Sequence, residues 1–240
     1  MREGSDISFL TEEFLPNSQS SQCSISSDSW VSSSKPSNVF TALLINARLL
    51  KNKLSSLEEN IKELAADVSL ITKMWFSNDV KIKTDLEDFT DRTGFGFIRQ
   101  DRLTDRRGGG LAICYDQTRI QLSRVKVPPS KHEILAAIGR RTGQRRKTLI
   151  VAVYIPPWYN AQQNRSLFNY TNDLLTHFKN KYENPMILFG GDFNRRSVKE
   201  ATREHGNMKI IQTGPTRNDA TLDILSSNFN ELLLDSGTTE

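Results

Sequence analysis

The stretch of sequence that decides the fold lies at residues 186–194 and reads MILFGGDFN. Its apolar start is typical of a buried β-strand. Because alternate side chains of an extended chain point to the same side, Asp192 and Asn194 are predicted to leave the strand end together. Such a carboxylate can orient or deprotonate a water, and such a carboxamide can hydrogen-bond a phosphate oxygen. The same residues also fit an ordinary strand-to-turn junction, since Gly, Asp and Asn are common in turns.

The length and composition allow one large α/β domain with an extension. The chain has 240 residues, of which 37% are hydrophobic, and this suffices for a packed core. A net charge of +4 and a pI near 9.1 permit an anionic partner such as nucleic acid without requiring one. Only Cys23 and Cys114 are present, too few for a disulfide framework or a zinc cluster. We therefore expect an intracellular protein, with the nucleus as a candidate compartment, no signal peptide and no transmembrane segment.

The composition divides the chain into a tail and a domain. Residues 1–37 are predicted to be a disordered, Ser-rich tail, because positions 18–37 offer too little apolar surface to offset the entropy of ordering. The remaining residues, 38–240, are predicted to form one domain. Its apolar runs alternate with two amphipathic helices, at 51–66 and 163–178, and this alternation predicts a layered α/β sandwich.

Three further polar residues occupy predicted strand ends, where layered folds collect functional groups. Asn46 follows the apolar run at 39–45, but it could equally cap the helix after it. Tyr154 ends another strand, and it could be a rim residue with its hydroxyl in water. Asp223 interrupts the apolar sequence TLDIL, and a carboxylate there needs a partner or a polar site.

Five segments occur in an order that resembles a known family. They lie at 45–49, 106–113, 153–157, 191–194 and 215–223. Together they resemble the motifs of the endonuclease/exonuclease/phosphatase superfamily and, within it, the endonuclease domain of non-LTR retrotransposons. The resemblance implies a four-layered α/β sandwich, in which two packed β-sheets are flanked by helices. It also implies hydrolysis of a phosphodiester with Mg²⁺ or Mn²⁺, which neutralises the charge that develops on the phosphate.

The resemblance assigns expected roles to the residues at these strand ends. Asp192 would orient or activate the nucleophilic water, and Asn194 would bind the phosphate. Tyr154 would approach the scissile phosphate. Asn46 would help to fix the catalytic constellation, and Asp223 would belong to the same network.

Two departures from the family pattern predict impaired catalysis. Lys73 stands where the resemblance implies a metal-binding Glu, and an ammonium has no lone pair to offer a cation. The closing Ser-Asp-His motif of the family is not found between Asp223 and Glu240, so the domain is expected to be C-terminally incomplete. Metal binding is therefore expected to be weak or absent, and no metal ligand is predicted.

Clusters of arginine indicate where nucleic acid, expected to be DNA, would bind. The predicted contact residues are Arg106, Arg107, Arg195, Arg196 and Arg217. A second basic cluster lies at 140–147. The residues at 99–107 and those at 140–147 are each predicted to lie on a hairpin, and both could also be ordinary solvated hairpin tips. Two other functions stay open: a non-catalytic nucleic-acid-binding or interaction module, and a phosphatase acting on a small phosphoester or a phosphoinositide.

Overall fold

The computed structural model describes residues 6–13, 39–76, 80–102, 109–194, 208–210, 222–228 and 233–239. In chain order the described strands are β1 (Asp6–Glu13), β2 (Val39–Asn46), β3 (Val68–Thr72), β4 (Phe95–Gln100), β5 (Leu111–Asp116), β6 (Ile120–Arg124), β7 (Glu133–Arg141), β8 (Thr148–Tyr154), β9 (Met186–Asp192), β10 (Lys209–Ile210), β11 (Asp223–Ser227) and β12 (Leu233–Thr239). The described α-helices are α1 (Leu54–Glu63), α2 (Val80–Thr93) and α3 (Ala161–Lys181), and a short 3-10 helix spans Leu50–Asn52.

The described strands form two six-stranded sheets. The first has the order β12-β1-β2-β3-β5-β4, and the second has the order β10-β11-β9-β8-β7-β6. Two pairs are parallel, β2 with β3 and β8 with β9. A helix connects each parallel pair, because parallel strands need a crossover long enough to return the chain to the same end of the sheet. In each pair the two strands therefore end at the same edge of their sheet.

Three apolar clusters separate four layers of structure. One cluster lies between the two sheets and contains Leu44, Leu70 and Ile150. A second packs α3 on the outer face of the second sheet, and a third packs α1 and α2 on the outer face of the first. This arrangement confirms the predicted four-layered α/β sandwich. None of the described helices is long and apolar enough to cross a membrane.

The structure adds one helix to the two that the sequence predicts. Helix α2 was missed because its stretch is rich in Lys, Asp and Thr and has few apolar residues. Those few recur at helical spacing, however, and Ile82, Leu86 and Phe89 are all buried against the first sheet. A narrow apolar stripe is thus enough to dock this helix.

The prediction of a disordered tail is wrong for residues 6–13. This segment is strand β1, which pairs antiparallel with both β2 and β12. Its sequence, DISFLTEE, contains Ile, Phe and Thr, which favour strands, but the Ser-rich composition of the longer segment outweighed this local signal. The rest of the predicted tail, residues 1–5 and 14–37, lies outside the described residues. The boundary at residue 38 stays a prediction.

Candidate functional site

Strand register brings four polar residues into one row across the second sheet. Tyr154 is the register partner of Glu133 on β7 and of Asp192 on β9, and Asp192 is in turn the partner of Asp223 on β11. Side chains at directly opposed positions of neighbouring strands point to the same face of a sheet. Tyr154 packs in the cluster between the sheets, so the row faces the first sheet.

Close packing of β9 against β8 fixes the position of Asp192. Residues Met186 to Phe189 are buried and draw the strand into the core. At Gly191 the two backbones approach so closely that an added Cβ would lie 1.8 Å from the carbonyl oxygen of Val153. Only glycine can occupy such a position, which explains the second glycine of the motif.

The first sheet contributes Asn46 at the end of β2. Its Nδ2 donates to Oδ2 of Asp192 at 3.2 Å and to Oδ1 of Asp223 at 3.4 Å. All three side chains are buried. Two neighbouring carboxylates repel each other in a buried site, and a shared amide donor offsets part of that repulsion. Asn46 therefore joins the two sheets by a polar contact, and the N-cap positions of the two helices that follow are Leu49 and Lys53.

Lys73 adds a positive charge to the corner of the molecule that Asn46, Tyr154, Asp192 and Asp223 form. It follows the end of β3, and its backbone is in the left-handed region at φ 55°. Its ammonium forms an ion pair with Oδ2 of Asp192 and lies 5.6 Å from the ring centre of Tyr154. The Asp192 side chain is 0% exposed and the Lys73 side chain is 15% exposed, so water screens this pair very little.

Burial and the neighbouring charges set the protonation of the corner. Burial raises the pKa of the Asp192 carboxyl above its ordinary value, while Lys73, the backbone N–H of Asn194 and the Asn46 amide act against this rise. Burial also raises the pKa of Tyr154, and the charge of Asp192 raises it further. The phenol of Tyr154 is therefore protonated at neutral pH.

The backbone N–H and the side-chain amide of Asn194 both donate hydrogen bonds. Its backbone N–H donates to Oδ1 of Asp192 at 3.1 Å, and its Nδ2 donates to the carbonyl oxygen of Ile155 at 2.7 Å. Its φ is 44°, a conformation that Asn tolerates better than most residues. The predicted side-by-side exit of Asp192 and Asn194 thus becomes a tight turn, and a role for Asn194 as a phosphate ligand stays a prediction.

The residues around Asp192 do not fit a divalent cation. Magnesium and manganese need several oxygen ligands, yet one oxygen of Asp192 contacts the Lys73 ammonium and the other accepts from Asn194. The buried Oδ1 of Asn46 accepts no hydrogen bond from the described residues and is a suitable single oxygen ligand, but the ammonium would repel an ion beside it. Within the described part of the chain, no group of three or more His, Cys, Asp or Glu side chains could hold a metal.

One carboxylate of this corner, Glu133, was missed by sequence reasoning. Glu133 heads β7, and its Oε2 accepts from the backbone N–H of Gly110 at 2.8 Å while its Oε1 lies 3.2 Å from Nε of Arg102. Burial raises the pKa of Glu133, and both contacts oppose that rise. The available signal was a lone carboxylate at the start of the apolar run ILAA, the same kind of signal that marked Asp223.

The five arginines predicted to contact nucleic acid, Arg106, Arg107, Arg195, Arg196 and Arg217, lie outside the described residues. The second basic cluster is described. Arg140, Arg145, Arg146 and Lys147 line a pocket of about 200 Å³ together with Lys181, Tyr182 and Glu183. This pocket adjoins the start of β8, and Tyr154 lies at the other end of that strand. Because a strand rises about 3.3 Å per residue, the two ends are roughly 20 Å apart. The second cluster is therefore not part of the corner.

Of the predicted catalytic residues, the structure brings all five to one place. Asn46, Asp192 and Asp223 share direct hydrogen bonds, and Asn194 joins them through its backbone N–H. Tyr154 lies beside Asp192 on the neighbouring strand. Their grouping agrees with the expected constellation, while their individual catalytic roles stay predictions.

Comparison with known proteins identifies the fold. No protein-family model matches the sequence, and no curated protein matches it either. Among solved structures, the catalytic domain of human Nocturnin with a bound sulfate anion matches with a TM-score of 0.61 at 13% identity, over 81% of this chain and 83% of that chain. The endonuclease domain of TRAS1, a telomere-specific non-LTR retrotransposon, matches with a TM-score of 0.54 at 16% identity, over 77% and 82%.

A third structure is named for the superfamily itself. It is an endonuclease/exonuclease/phosphatase family protein from Bacteroides thetaiotaomicron, which matches with a TM-score of 0.53 at 10% identity, over 75% of each chain. Identities this low show a shared fold and not a shared activity. The chain has the endonuclease/exonuclease/phosphatase fold, as its sequence motifs predicted.

Proposed function

We propose that this chain is a retrotransposon-type endonuclease domain that has kept its nucleic-acid-binding role and lost hydrolysis. The observation that carries the proposal is the buried ion pair between Lys73 and Asp192. The family resemblance gives Asp192 the task of activating water, and the ion pair engages the carboxylate that this task requires.

A carboxylate can activate water only if an oxygen atom is accessible to that water. Oδ2 of Asp192 contacts Lys73 and Asn46, and Oδ1 accepts from the backbone of Asn194. The side chain has no exposed surface. Lys73 also supplies a fixed ammonium in place of a metal ion, and a point charge of this kind provides no Lewis-acid activation of water. These contacts support the proposed loss of hydrolysis.

Binding is supported by charge. The chain carries a net charge of +4, which permits an anionic partner such as nucleic acid. The structurally similar TRAS1 domain is an endonuclease of a retrotransposon, which favours DNA as the proposed partner. A DNA partner in turn favours an intracellular, nuclear location. The arginines at 106–107, 195–196 and 217 remain the proposed phosphate contacts.

A nicking assay tests the loss of hydrolysis. Supercoiled plasmid is incubated with the full chain and either Mg²⁺ or Mn²⁺, alongside an Asp192→Asn variant. The proposal predicts no nicking above background for either protein. Wild-type nicking that Asp192→Asn abolishes would overturn it.

A binding assay tests the retained role. Affinity for a labelled DNA fragment should fall as salt rises, because counterion release accompanies each phosphate contact. Affinity should be unchanged by Asp192→Asn and by chelation of divalent ions. A soluble phosphomonoester and a phosphoinositide headgroup serve as competitors, and displacement of DNA by either at equal phosphate concentration would favour the phosphatase alternative.

A further inference from the structure

Two tryptophans remain exposed beside the corner. Trp75 is 42% exposed and Trp158 is 47% exposed, and they are the exposed large hydrophobic side chains of the described residues. Trp75 follows Lys73 by two residues, and Trp158 follows Tyr154 by four. Isolated exposed apolar residues are common, but two indoles bordering one polar corner indicate a surface that contacts a partner.

The backbone holds Trp75 in an unfavourable conformation. Its φ is 56°, in the left-handed region that residues with large side chains rarely adopt. Its N–H donates to the carbonyl oxygen of Gly109 at 3.0 Å, and Met74, which is fully buried, precedes it. Strain that the surrounding contacts maintain is typical of functional positions. The backbone of Trp75 is thus anchored next to Gly109, and its indole is exposed.

Trp158 packs against an ion pair that is largely shielded from solvent. The guanidinium of Arg102 lies 5.1 Å from the ring centre of Trp158, and Nε of Arg102 pairs with Oε1 of Glu133 at 3.2 Å. Glu133 also accepts from the N–H of Gly110, the neighbour of the glycine that holds Trp75. Both indoles are thus tied to one support built from Glu133 and the Gly109–Gly110 pair.

The chemistry of this surface favours aromatic ligands over simple anions. Among the described residues of this surface, the cations Lys73 and Arg102 are already paired with Asp192 and Glu133. Attraction for phosphate is therefore weakened here, and stacking on the indoles must supply much of the affinity. Nucleobases present flat faces for stacking when they are unpaired, whereas a duplex conceals those faces.

We propose that Trp75 and Trp158 form a stacking platform for the unpaired bases of single-stranded nucleic acid at the edge of the corner. This inference rests on the proposed nucleic-acid binding and names the form that is bound. The two indoles stack bases, and the cations outside the platform contact the phosphates between them.

The experiment separates bases from phosphates. Fluorescence anisotropy measures binding of the full chain to three probes of equal length: oligodeoxythymidine, a wholly abasic oligonucleotide with the same phosphates, and a duplex. Oligodeoxythymidine should bind at least about 10-fold more tightly than the abasic probe, since stacking contributes about 1–3 kcal/mol per base. Equal affinity for these two probes would overturn the platform and leave the proposed nucleic-acid binding intact.

Variants locate the effect. Trp75→Ala and Trp158→Ala should each weaken oligodeoxythymidine binding about 5- to 150-fold and leave abasic binding unchanged. Trp75→Phe is the conservative control and should retain most of the affinity, because a phenyl ring can still stack on a base. Unaltered oligodeoxythymidine binding in both Ala variants would contradict the platform. If none of the three probes binds at low salt, the proposed function itself fails.

Discussion

The ends of β9 and β3 meet at one corner of the molecule but contribute opposite chemistry. β9 delivers Asp192 and Asn194 through a tight turn, in which the backbone N–H and the side-chain amide of Asn194 are both hydrogen-bonded. β3 delivers Lys73 in a strained backbone conformation, and its ammonium enters the space beside Asp192. A sequence motif that is intact on one sheet therefore does not determine the chemistry of a site by itself, because one residue from the other sheet can change that chemistry.

The largest effect is expected when the cation is removed from the corner. Lys73→Met leaves the buried carboxylate of Asp192 without its counter-charge, and removing one partner of a buried pair costs about 3–5 kcal/mol. The free energy of unfolding, measured by urea denaturation, should fall by that amount. Lys83→Met is the matched control, because Lys83 pairs with Glu87 on an exposed helix surface at 3.8 Å. The control should lose less than about 0.5 kcal/mol, and equal losses in the two variants would contradict the comparison.

A smaller loss is expected from the amide that bridges the sheets. Asn46→Ala removes the donor shared by Asp192 and Asp223, and both carboxylates stay buried. The free energy of unfolding should fall by about 1.5–3 kcal/mol, the contribution of hydrogen bonds to charged groups. Asn60→Ala, which removes an exposed side-chain hydrogen bond to Ser56 on α1, should change stability by less than about 0.5 kcal/mol. A loss as small as that of the control would show that Asn46 does not bridge the carboxylates.

The smallest effect is a change in pH dependence. An acid whose pKa is raised by folding stabilises the fold below its ordinary pKa, and this contribution is lost as pH rises through the raised value. Burial raises the pKa of Asp192, and removal of the opposing Lys73 charge should raise it further. The stability gap between wild type and Lys73→Met should therefore narrow by about 1 kcal/mol between pH 8 and pH 4. The free energy of unfolding of both proteins is measured by urea denaturation across that pH range. A difference between them that does not change with pH would show that the uncompensated charge is not on Asp192.

Much of the fold was predictable because it depends on local patterns. The apolar run before Asp192 predicts strand β9, and the amphipathic patterns of α1 and α3 predict those helices, without information from the rest of the chain. Helix α2 was not predicted because its apolar residues are few. Strand β1 was not predicted because the Ser-rich composition of the longer segment outweighed its local signal.

The site was predictable in membership but not in its contacts. Asn46, Tyr154, Asp192 and Asp223 stand at strand ends, and that position can be read from sequence. The pairing of Lys73 with Asp192 joins residues far apart in the chain and depends on the left-handed turn after β3. The support beneath the tryptophans likewise joins distant segments. Contacts of this kind follow from tertiary packing, which local propensity does not encode.

The central claim is that Lys73 and Asp192 act as one unit, and a double-mutant cycle tests it most directly. The free energy of unfolding is measured for wild type, Lys73→Met, Asp192→Asn and the double variant at neutral pH. We predict a coupling energy of about 2 kcal/mol, within the range for buried partners in contact. Additive losses, with a coupling energy below about 0.5 kcal/mol, would show that the two charges do not interact and would remove the basis for the proposed loss of hydrolysis.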